Sequence, residues 1–132
     1  METISIRTGS PTECVDITRQ VQEAVGRAGV RNGAVVVSSA HTTGGVTVNE
    51  NADPDVMADV LSTLDRLVPR RGPYAHVEGN SDAHVKASLV GLSASLPVED
   101  GRLVLGTWQG IYFLEFDGPR SRRVMVQVLP AS

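Results

Sequence analysis

The last third of the chain contains two Asp-Gly pairs, Asp100-Gly101 and Asp117-Gly118, between segments of strand-like composition. Asp-Gly pairs favour tight turns between antiparallel strands, because both residues tolerate a positive φ. The apolar segments around these pairs predict four strands, over residues 92–98, 102–105, 111–116 and 122–129. We therefore predict that the chain ends in an antiparallel β-meander.

The first two thirds of the chain mix strand and helix patterns. Strands are predicted over residues 3–8, over 33–40 and around Val46 to Val48. Helices are predicted after Asp16, after Asp53-Pro54 and over residues 82–89. Because strands and helices do not alternate regularly, we predict a single α+β domain of two layers over residues 1–132.

Charge and composition exclude several classes of partner. The formal net charge of -3 gives no general attraction to nucleic acid or to a membrane surface. The basic run from Arg120 to Arg123 is interpreted as a solvated turn. We expect no signal peptide or membrane span, and the single cysteine, Cys14, excludes an intramolecular disulfide. A cytoplasmic protein is the resulting expectation.

Two polar segments flank the second and third predicted strands. Ser39, His41, Thr42 and Thr43 follow the valine-rich strand, where hydroxyl, imidazole and backbone N–H groups can contact an anion. The alternative interpretation is an ordinary Thr-Gly turn. Asn49 and Glu50 form the second segment, and Glu50 is a candidate for acid–base catalysis or metal binding because no capping role accounts for it.

Two further polar segments lie later in the chain. The first surrounds the short predicted helix and supplies His76, Asn80, Asp82, His84, Lys86 and Ser88. The helix start offers free N–H groups, and Lys86 can pair with a phosphate or simply be solvated. The last segment supplies Trp108, Gln109 and Glu115. Trp108 is interpreted either as a packed residue or as a platform for a ligand ring, and Glu115 needs a partner if it points inward.

The three histidines, His41, His76 and His84, all lie in polar, glycine-flanked segments. We predict that they converge on one site that binds a metal ion or a phosphate-bearing ligand, with Asp82 as a further metal ligand. Their spacing matches no zinc motif such as H-E-x-x-H. The metal hypothesis therefore depends on convergence in three dimensions.

Several motifs in order resemble the YjbQ-like family, described as the secondary thiamine-phosphate synthase family. The matching stretches are Ser39-Ala-His-Thr-Thr43, Asn49-Glu-Asn-Ala-Asp-Pro-Asp55, Glu78-Gly-Asn-Ser-Asp-Ala-His-Val-Lys-Ala-Ser88, Gly101-Arg-Leu and Gly106-Thr-Trp-Gln-Gly-Ile111. The resemblance spans residues 4–129. One departure is Gly44-Gly45, where the family pattern leads us to expect at least one alanine.

The resemblance implies a small α+β homotrimer with polar sites near subunit boundaries. It also implies a thiamine-phosphate synthase activity, which joins hydroxymethylpyrimidine pyrophosphate to thiazole phosphate and releases pyrophosphate. Our hypothesis for that chemistry assigns catalysis to Glu50, His41 and Lys86, with a divalent ion, zinc or magnesium. The alternatives are a metal-dependent phosphoester hydrolase and a non-catalytic trimer that binds a metal or an anion.

Overall fold

Eleven segments of regular secondary structure form the fold in the computed structural model, which describes residues 1–132. In chain order they are β1 (Glu2–Arg7), β2 (Glu13–Asp16), α1 (Thr18–Ala28), β3 (Gly33–Ser39), β4 (Gly44–Glu50), α2 (Pro54–Leu67), α3 (Ser81–Val90), β5 (Ser93–Glu99), β6 (Arg102–Leu103), β7 (Gln109–Glu115) and β8 (Ser121–Pro130). The predicted α+β class is confirmed. None of the three helices is long and apolar enough to span a membrane.

The strands form two antiparallel sheets. The larger sheet has the order β1-β8-β3-β5-β6, and the smaller has the order β2-β7-β4. Asp100-Gly101 makes the predicted turn between β5 and β6, with φ angles of 51° and 75°. Asp117-Gly118 does not make a hairpin, because β7 belongs to the small sheet and β8 lies between β1 and β3. The C-terminal strands are therefore antiparallel, but they do not form a sequential meander.

The burial of β7 explains why the meander does not form. Every residue from Gly110 to Phe116 is buried, so this strand is covered on both faces. Strand β8 instead alternates, with Arg122, Val124 and Val126 buried and their neighbours exposed or half-buried. A strand buried on both faces suits the centre of a covered sheet, whereas an alternating strand suits a sheet with one solvated face. The chain therefore changes sheets after Glu115.

Two apolar clusters hold these elements together. The first cluster lies between the two sheets and includes the inner face of α1, with Val21 and Val25 fully buried. The second cluster lies on the other side of the small sheet, where Met57 of α2 and Ala83 of α3 join Leu114. Helices α2 and α3 therefore form a third layer outside the small sheet, so the prediction of two layers is wrong although the α+β class is confirmed. This packing places the start of α3 beside the end of β7.

Gly44 and Gly45, the departure from the family pattern, begin β4 where it packs most tightly. A Cβ on Gly45 would lie 2.6 Å from the carbonyl oxygen of Gly91, which ends α3, and a Cβ on Gly44 would overlap the buried ring of Phe113. The same Gly91 carbonyl accepts a hydrogen bond from Val46 N–H at 3.1 Å. Both glycines are therefore required by close contact in this chain.

We expect Gly45→Ala to lower the free energy of unfolding by about 1–3 kcal/mol. The added methyl group would overlap the carbonyl oxygen of Gly91, which cannot move away without breaking its hydrogen bond with Val46 N–H. Chemical denaturation of the purified variant measures the change. Gly26→Ala in α1 is the matched control, since a Cβ there has no atom within 4 Å. The control should be neutral or stabilising by up to about 1 kcal/mol. Equal stability of Gly45→Ala and the native chain would contradict this close packing.

Candidate functional site

A cavity of about 530 Å³ lies where three polar segments meet. The first segment is the turn between β3 and β4, the second leads into α3, and the third connects β7 to β8. The lining side chains from these segments are His41, Thr42 and Thr43, then Glu78, Asn80 and His84, and finally Asp117, Arg120, Ser121 and Arg122. The two arginines and the histidines in this lining make the cavity a candidate site for an anionic ligand.

The turn that carries His41 is closed by Ser39. The hydroxyl of Ser39 donates to the carbonyl oxygen of Gly44 at 2.9 Å and accepts from the N–H of His41 at 3.1 Å. Ser39 is buried, and both of its contacts are within the turn. Its predicted role as a ligand contact is therefore replaced by a structural one. Thr43, by contrast, lines the cavity as predicted, together with Thr42.

The imidazole of His41 has a defined tautomer. Its Nε2 atom accepts a hydrogen bond from the backbone N–H of Arg123 at 2.8 Å, so the proton of the neutral ring lies on Nδ1. Burial lowers the pKa of His41 below its ordinary value, and the positive charges of Arg122 and Arg123 lower it further. His41 is therefore a neutral hydrogen-bond donor near pH 7.

The lowered pKa of His41 has an expected effect on stability. Below pH 6.5 the unfolded chain binds a proton that the folded ring resists, so folding stability falls as the pH drops toward the folded pKa. His41→Gln should remove this contribution and flatten the stability curve over that window. Denaturant unfolding at a series of pH values between about 7 and 5 measures it. Parallel curves for the two proteins would contradict the assigned protonation state.

Behind His41 lies a buried ion pair between Arg122 of β8 and Glu115 of β7. Nε of Arg122 donates to Oε1 of Glu115 at 2.7 Å, and Nη2 donates to Oε2. Nη2 also donates to Oγ1 of Thr43 at 2.9 Å, while the hydroxyl of Thr8 donates to Glu115 at 2.7 Å. The side chains of Arg122 and Glu115 are 3% and 0% exposed. The predicted solvated turn at Arg120–Arg123 is therefore wrong for Arg122.

Glu115 has no direct access to the cavity. Burial alone would raise the pKa of its carboxyl, but hydrogen bonds from Arg122, Thr8 and the Asp117 N–H hold it below its ordinary value. Its predicted role as a ligand contact is replaced by a positioning role. The guanidinium of Arg122 is fixed through Nε and Nη2, and its Nη1 makes no hydrogen bond within the chain. Since Arg122 lines the cavity, Nη1 is available to an anion there.

The start of α3 closes the opposite side of the cavity. The side-chain amide of Asn80 donates to Oδ2 of Asp117 at 3.0 Å, and Arg120 donates to the same oxygen at 2.9 Å. The backbone N–H groups of Ser81 and Asp82 have no hydrogen-bond partner in the chain. Free N–H groups and the positive end of the helix dipole favour an anion at this position.

The three histidines are close together, but they do not form a metal site within one chain. His41 and His84 line the same cavity, and the ring of His76 lies edge-on to that of His84, with 5.5 Å between ring centroids. Asp82 is bound to Nζ of Lys86 at 3.0 Å instead of facing the imidazoles. No group of three or more His, Cys, Asp or Glu side chains is arranged to hold an ion. The predicted ligand set of His41, His76, His84 and Asp82 therefore does not assemble.

Lys86 and Ser88 of α3 also do not reach the His41 cavity. Lys86 is buried and contacts Asp65 at 2.6 Å as well as Asp82. Burial lowers the pKa of this amine, but the two carboxylates outweigh that effect and raise it overall. Lys86 is therefore a compensated cation and cannot serve as a base. The hydroxyl of Ser88 donates to the carbonyl oxygen of His84 at 2.9 Å, within the helix.

The remaining predicted residues lie at the other end of the small sheet. Glu50 pairs with Gln109 across β4 and β7, whereas Gly44 pairs with Glu115 at the cavity end. The seven residues of β4 separate these two ends by roughly 20 Å. Within one chain, Asn49, Glu50, Trp108 and Gln109 therefore cannot act together with His41. Trp108 is 61% exposed on a turn beside that far end.

Among the lining side chains, sequence reasoning missed five: Glu78, Asp117, Arg120, Ser121 and Arg122. A signal for one of them was present. Arg122 shares its face of β8 with Val124 and Val126, so alternation places it inward, where a buried arginine requires an acidic partner. Glu115 within the apolar strand β7 was the matching signal. Glu78, Asp117 and Arg120 lie in loops, where no periodicity indicates direction, and Ser121 is the first residue of β8.

Comparisons with known proteins agree with the resemblance seen in the sequence. The family model described as UPF0047 protein YjbQ-like matches residues 2–131. The chain is 47% identical over 130 residues to UPF0047 protein YugU of Bacillus subtilis, covering 98% of each chain. It is 48% identical over 124 residues to UPF0047 protein MJ1081 of Methanocaldococcus jannaschii, covering 94% of this chain and 90% of that one.

Solved structures show the same fold. An uncharacterized YjbQ/UPF0047 protein from Clostridium acetobutylicum matches with a TM-score of 0.96 and 53% identity, covering 98% of this chain and 100% of that one. A YbjQ-like protein of unknown function from Sulfolobus solfataricus matches with a TM-score of 0.94 and 34% identity, covering 98% and 96%. This chain belongs to the YjbQ/UPF0047 family.

Proposed function

We propose that the cavity lined by His41, His84, Arg120 and Arg122 binds the phosphate or pyrophosphate group of a small molecule, and that the protein is an enzyme acting on that molecule. The observation that carries this proposal is the state of Arg122. Its guanidinium is held by Glu115 and Thr43, yet Nη1 is unpaired in a cavity that also receives the start of α3. A fixed guanidinium with a free donor is suited to a phosphate oxygen.

The reaction that we favour is transfer of a pyrimidinylmethyl group with pyrophosphate as the leaving group, as the family resemblance implies. In this reaction the bond between the pyrimidine methylene carbon and the pyrophosphate oxygen breaks, and its electron pair leaves with pyrophosphate. The ring nitrogen of a thiazole phosphate uses its lone pair to form a carbon–nitrogen bond to the same methylene carbon. Arg120 and Arg122, which both line the cavity, would stabilise the departing charge.

His41 has a role that follows from its tautomer. Because Nε2 is engaged by Arg123 N–H, the Nδ1–H group is the one left to donate, and a neutral donor suits an oxygen that gains negative charge as it leaves. The donor set of a single chain does not fit a resident metal ion. The roles that we assign to His41, Arg120 and Arg122 therefore involve no metal ion.

The transferase proposal is tested by pyrophosphate release from purified protein supplied with hydroxymethylpyrimidine pyrophosphate and thiazole phosphate. Formation of thiamine phosphate in equal amount is the expected result. Release of orthophosphate without the coupled product would instead favour the alternative of a phosphoester hydrolase. Turnover of neither substrate class would leave a non-catalytic anion-binding protein and would overturn the enzyme proposal.

We expect Arg120→Gln to weaken the binding of inorganic pyrophosphate by about tenfold, the effect of losing one charge-assisted contact. The side chain of Arg120 is 54% exposed, so the substitution should leave the fold intact. Isothermal titration calorimetry measures the affinity. Arg19→Gln is the matched control, since its side chain is 90% exposed on α1 and away from the cavity. Equal affinity of both variants would contradict this placement of the anion.

We also propose that the protein forms the homotrimer that the family resemblance implies. Val85, Leu89 and Leu92 are 40%, 64% and 40% exposed, and their spacing places them along one side of α3 and its end. This apolar stripe is the surface that we expect to contact a neighbouring subunit. Light scattering should give a trimer for the native chain and a smaller species for Leu89→Glu. A native monomer would refute the assembly.

A further inference from the structure

A second cavity of about 410 Å³ adjoins the first and has no role in the proposed phosphate site. The two cavities share Asn80 and Asp117, whose side chains are joined by a hydrogen bond of 3.0 Å. That hydrogen bond forms the wall between them. The second cavity is otherwise lined by its own residues, among them Asp65, Asp82 and Lys86.

The hydrogen-bonding character of the second cavity is opposite to that of the first. Its one buried cation, Lys86, is only 3% exposed and already donates to two carboxylates, Asp65 and Asp82. Each of those carboxylates uses one oxygen for Lys86, and the other oxygen, Oδ2 of Asp65 and Oδ1 of Asp82, makes no hydrogen bond within the chain. A carboxylate accepts several hydrogen bonds, so acceptor capacity is left over.

Asn80 adds an independent observation. Its amide nitrogen is used by Asp117, whereas its oxygen Oδ1 is fully buried and has no hydrogen-bond partner. An orphaned buried acceptor costs free energy unless a ligand, a water molecule or a small movement supplies a donor. Because Asn80 lines both cavities, this unpaired acceptor lies in the wall that the two cavities share.

The walls of the second cavity restrict the shape of such a ligand. Phe116 is its one hydrophobic residue, and Pro11 and Pro69 contribute further apolar ring surface. Arg70 lies exposed on the loop that borders the cavity. Flat apolar surfaces next to unsatisfied carboxylate oxygens match a planar group that carries N–H donors and a positive charge.

We propose that the second cavity binds a planar cationic group, such as an amidinium or a protonated amino-substituted nitrogen heterocycle, beside the phosphate cavity. The cleft then has two subsites, one for an acceptor-rich group and one for a donor-rich group, separated by the Asn80–Asp117 hydrogen bond. This extends the proposed function, since it assigns the second part of the substrate, or a second substrate, to a defined place.

The experiment uses benzamidinium as the probe and the isosteric, uncharged benzamide as its control. Titration of ¹⁵N-labelled protein is followed by the amide signals of Thr12, Gly79 and Gly118, which lie in the second cavity only, and of Thr42 and Ser121, which lie in the first only. Benzamidinium should shift the signals of Thr12, Gly79 and Gly118 saturably. Benzamide should bind at least about threefold more weakly.

Two variants of α2 test the role of the carboxylates. Asp65→Asn should weaken benzamidinium binding about three- to tenfold, because it removes a charge from the cavity. The side chain of Asp65 is 55% exposed, so the fold should tolerate the change. Asp59→Asn makes the same change of charge on the same helix outside both cavities and should have no effect.

The outcomes separate this inference from the proposed function. Equal binding of benzamidinium and benzamide, no saturable shift, or shifts confined to Thr42 and Ser121 would overturn the second subsite. Pyrophosphate is titrated into the same samples and should shift Thr42 and Ser121 in the native chain and in Asp65→Asn alike. If pyrophosphate fails while benzamidinium binds as expected, the phosphate proposal fails and the second subsite stands.

Discussion

Replacement of Arg122 by methionine should lower the free energy of unfolding by about 3–5 kcal/mol, one of the largest effects of any single substitution in this chain. The reason is the state in which it leaves Glu115. That carboxylate is 0% exposed and receives two of its hydrogen bonds from the Arg122 guanidinium. Without the guanidinium, a buried charge is left with the Thr8 hydroxyl and the Asp117 N–H as its remaining donors. Denaturant-induced unfolding at pH 7 measures the loss.

A double substitution separates the ion pair from simple packing. Arg122→Met combined with Glu115→Leu removes both charges, and it should recover most of the stability lost by the single variant. The buried ring of Phe113, which lies 5.9 Å from the Arg122 guanidinium carbon, would then contact an apolar side chain. A single variant that loses less than about 1 kcal/mol would contradict this role of the ion pair. A double variant that is less stable than Arg122→Met alone would also contradict this role of the ion pair.

The ion pair between Glu115 and Arg122 also makes the free energy of unfolding depend on pH in the acidic range. Because the folded pKa of Glu115 lies below its ordinary value, the stabilisation is complete above that ordinary value and is lost as the pH falls through the folded pKa. Arg122→Met should lose this dependence, because burial, which raises the pKa of Glu115, is then opposed only by the hydrogen bonds from Thr8 and the Asp117 N–H. The comparison needs only denaturation curves at a series of acidic pH values.

Substitution of His41 by glutamine should lower turnover by about 10²–10⁴-fold while the fold is retained, if the protein has the transferase activity that we propose. The Nδ1–H donor is lost, whereas the amide oxygen of glutamine can still accept from Arg123 N–H. Turnover and the affinity for intact hydroxymethylpyrimidine pyrophosphate should be measured together. Loss of turnover with little change in affinity would match a donor that acts mainly on the leaving oxygen.

His76→Gln is the matched control for this prediction. His76 contacts the ring of His84 but does not line the His41 cavity. Its replacement should change turnover by less than about tenfold, because it removes no group that would touch the substrate. Equal activity losses for the two variants would contradict the assignment of His41. Unchanged turnover in His41→Gln would contradict it directly.

Local signals in the sequence predicted much of the secondary structure. Asp53-Pro54-Asp55 marked the start of α2, and Asp53 accepts a hydrogen bond from Asp55 N–H at 2.9 Å as a helix cap does. Asp100-Gly101 marked the turn between β5 and β6. These features depend on neighbouring residues alone. The resemblance to the family was also readable from the sequence, and the comparisons confirm it.

The order of strands in the sheets, and half of the residues at the site, could not be predicted from local sequence signals. In the sequence, Asn49, Glu50 and Trp108 lie in polar segments next to predicted strands, as His41 and Thr43 do. In the structure, the full length of β4 separates these two sets of residues. Which end of a strand meets a given helix is decided by long-range pairing, and no local pattern reports it. The pairing of Lys86 with Asp65 on another helix was hidden for the same reason.

The central claim, that the His41 cavity binds a phosphate-bearing group, is tested most directly by titrating pyrophosphate into ¹⁵N-labelled protein. The signals to follow are the Nδ1–H of His41, the side-chain N–H groups of Arg122 and the backbone N–H groups of Thr42 and Ser121, all of which lie in the His41 cavity. Saturable shifts of these signals, with those of Glu50 and Trp108 unchanged, are the expected result. Shifts centred on Glu50 and Trp108, or no saturable shift in any of these groups, would contradict the claim.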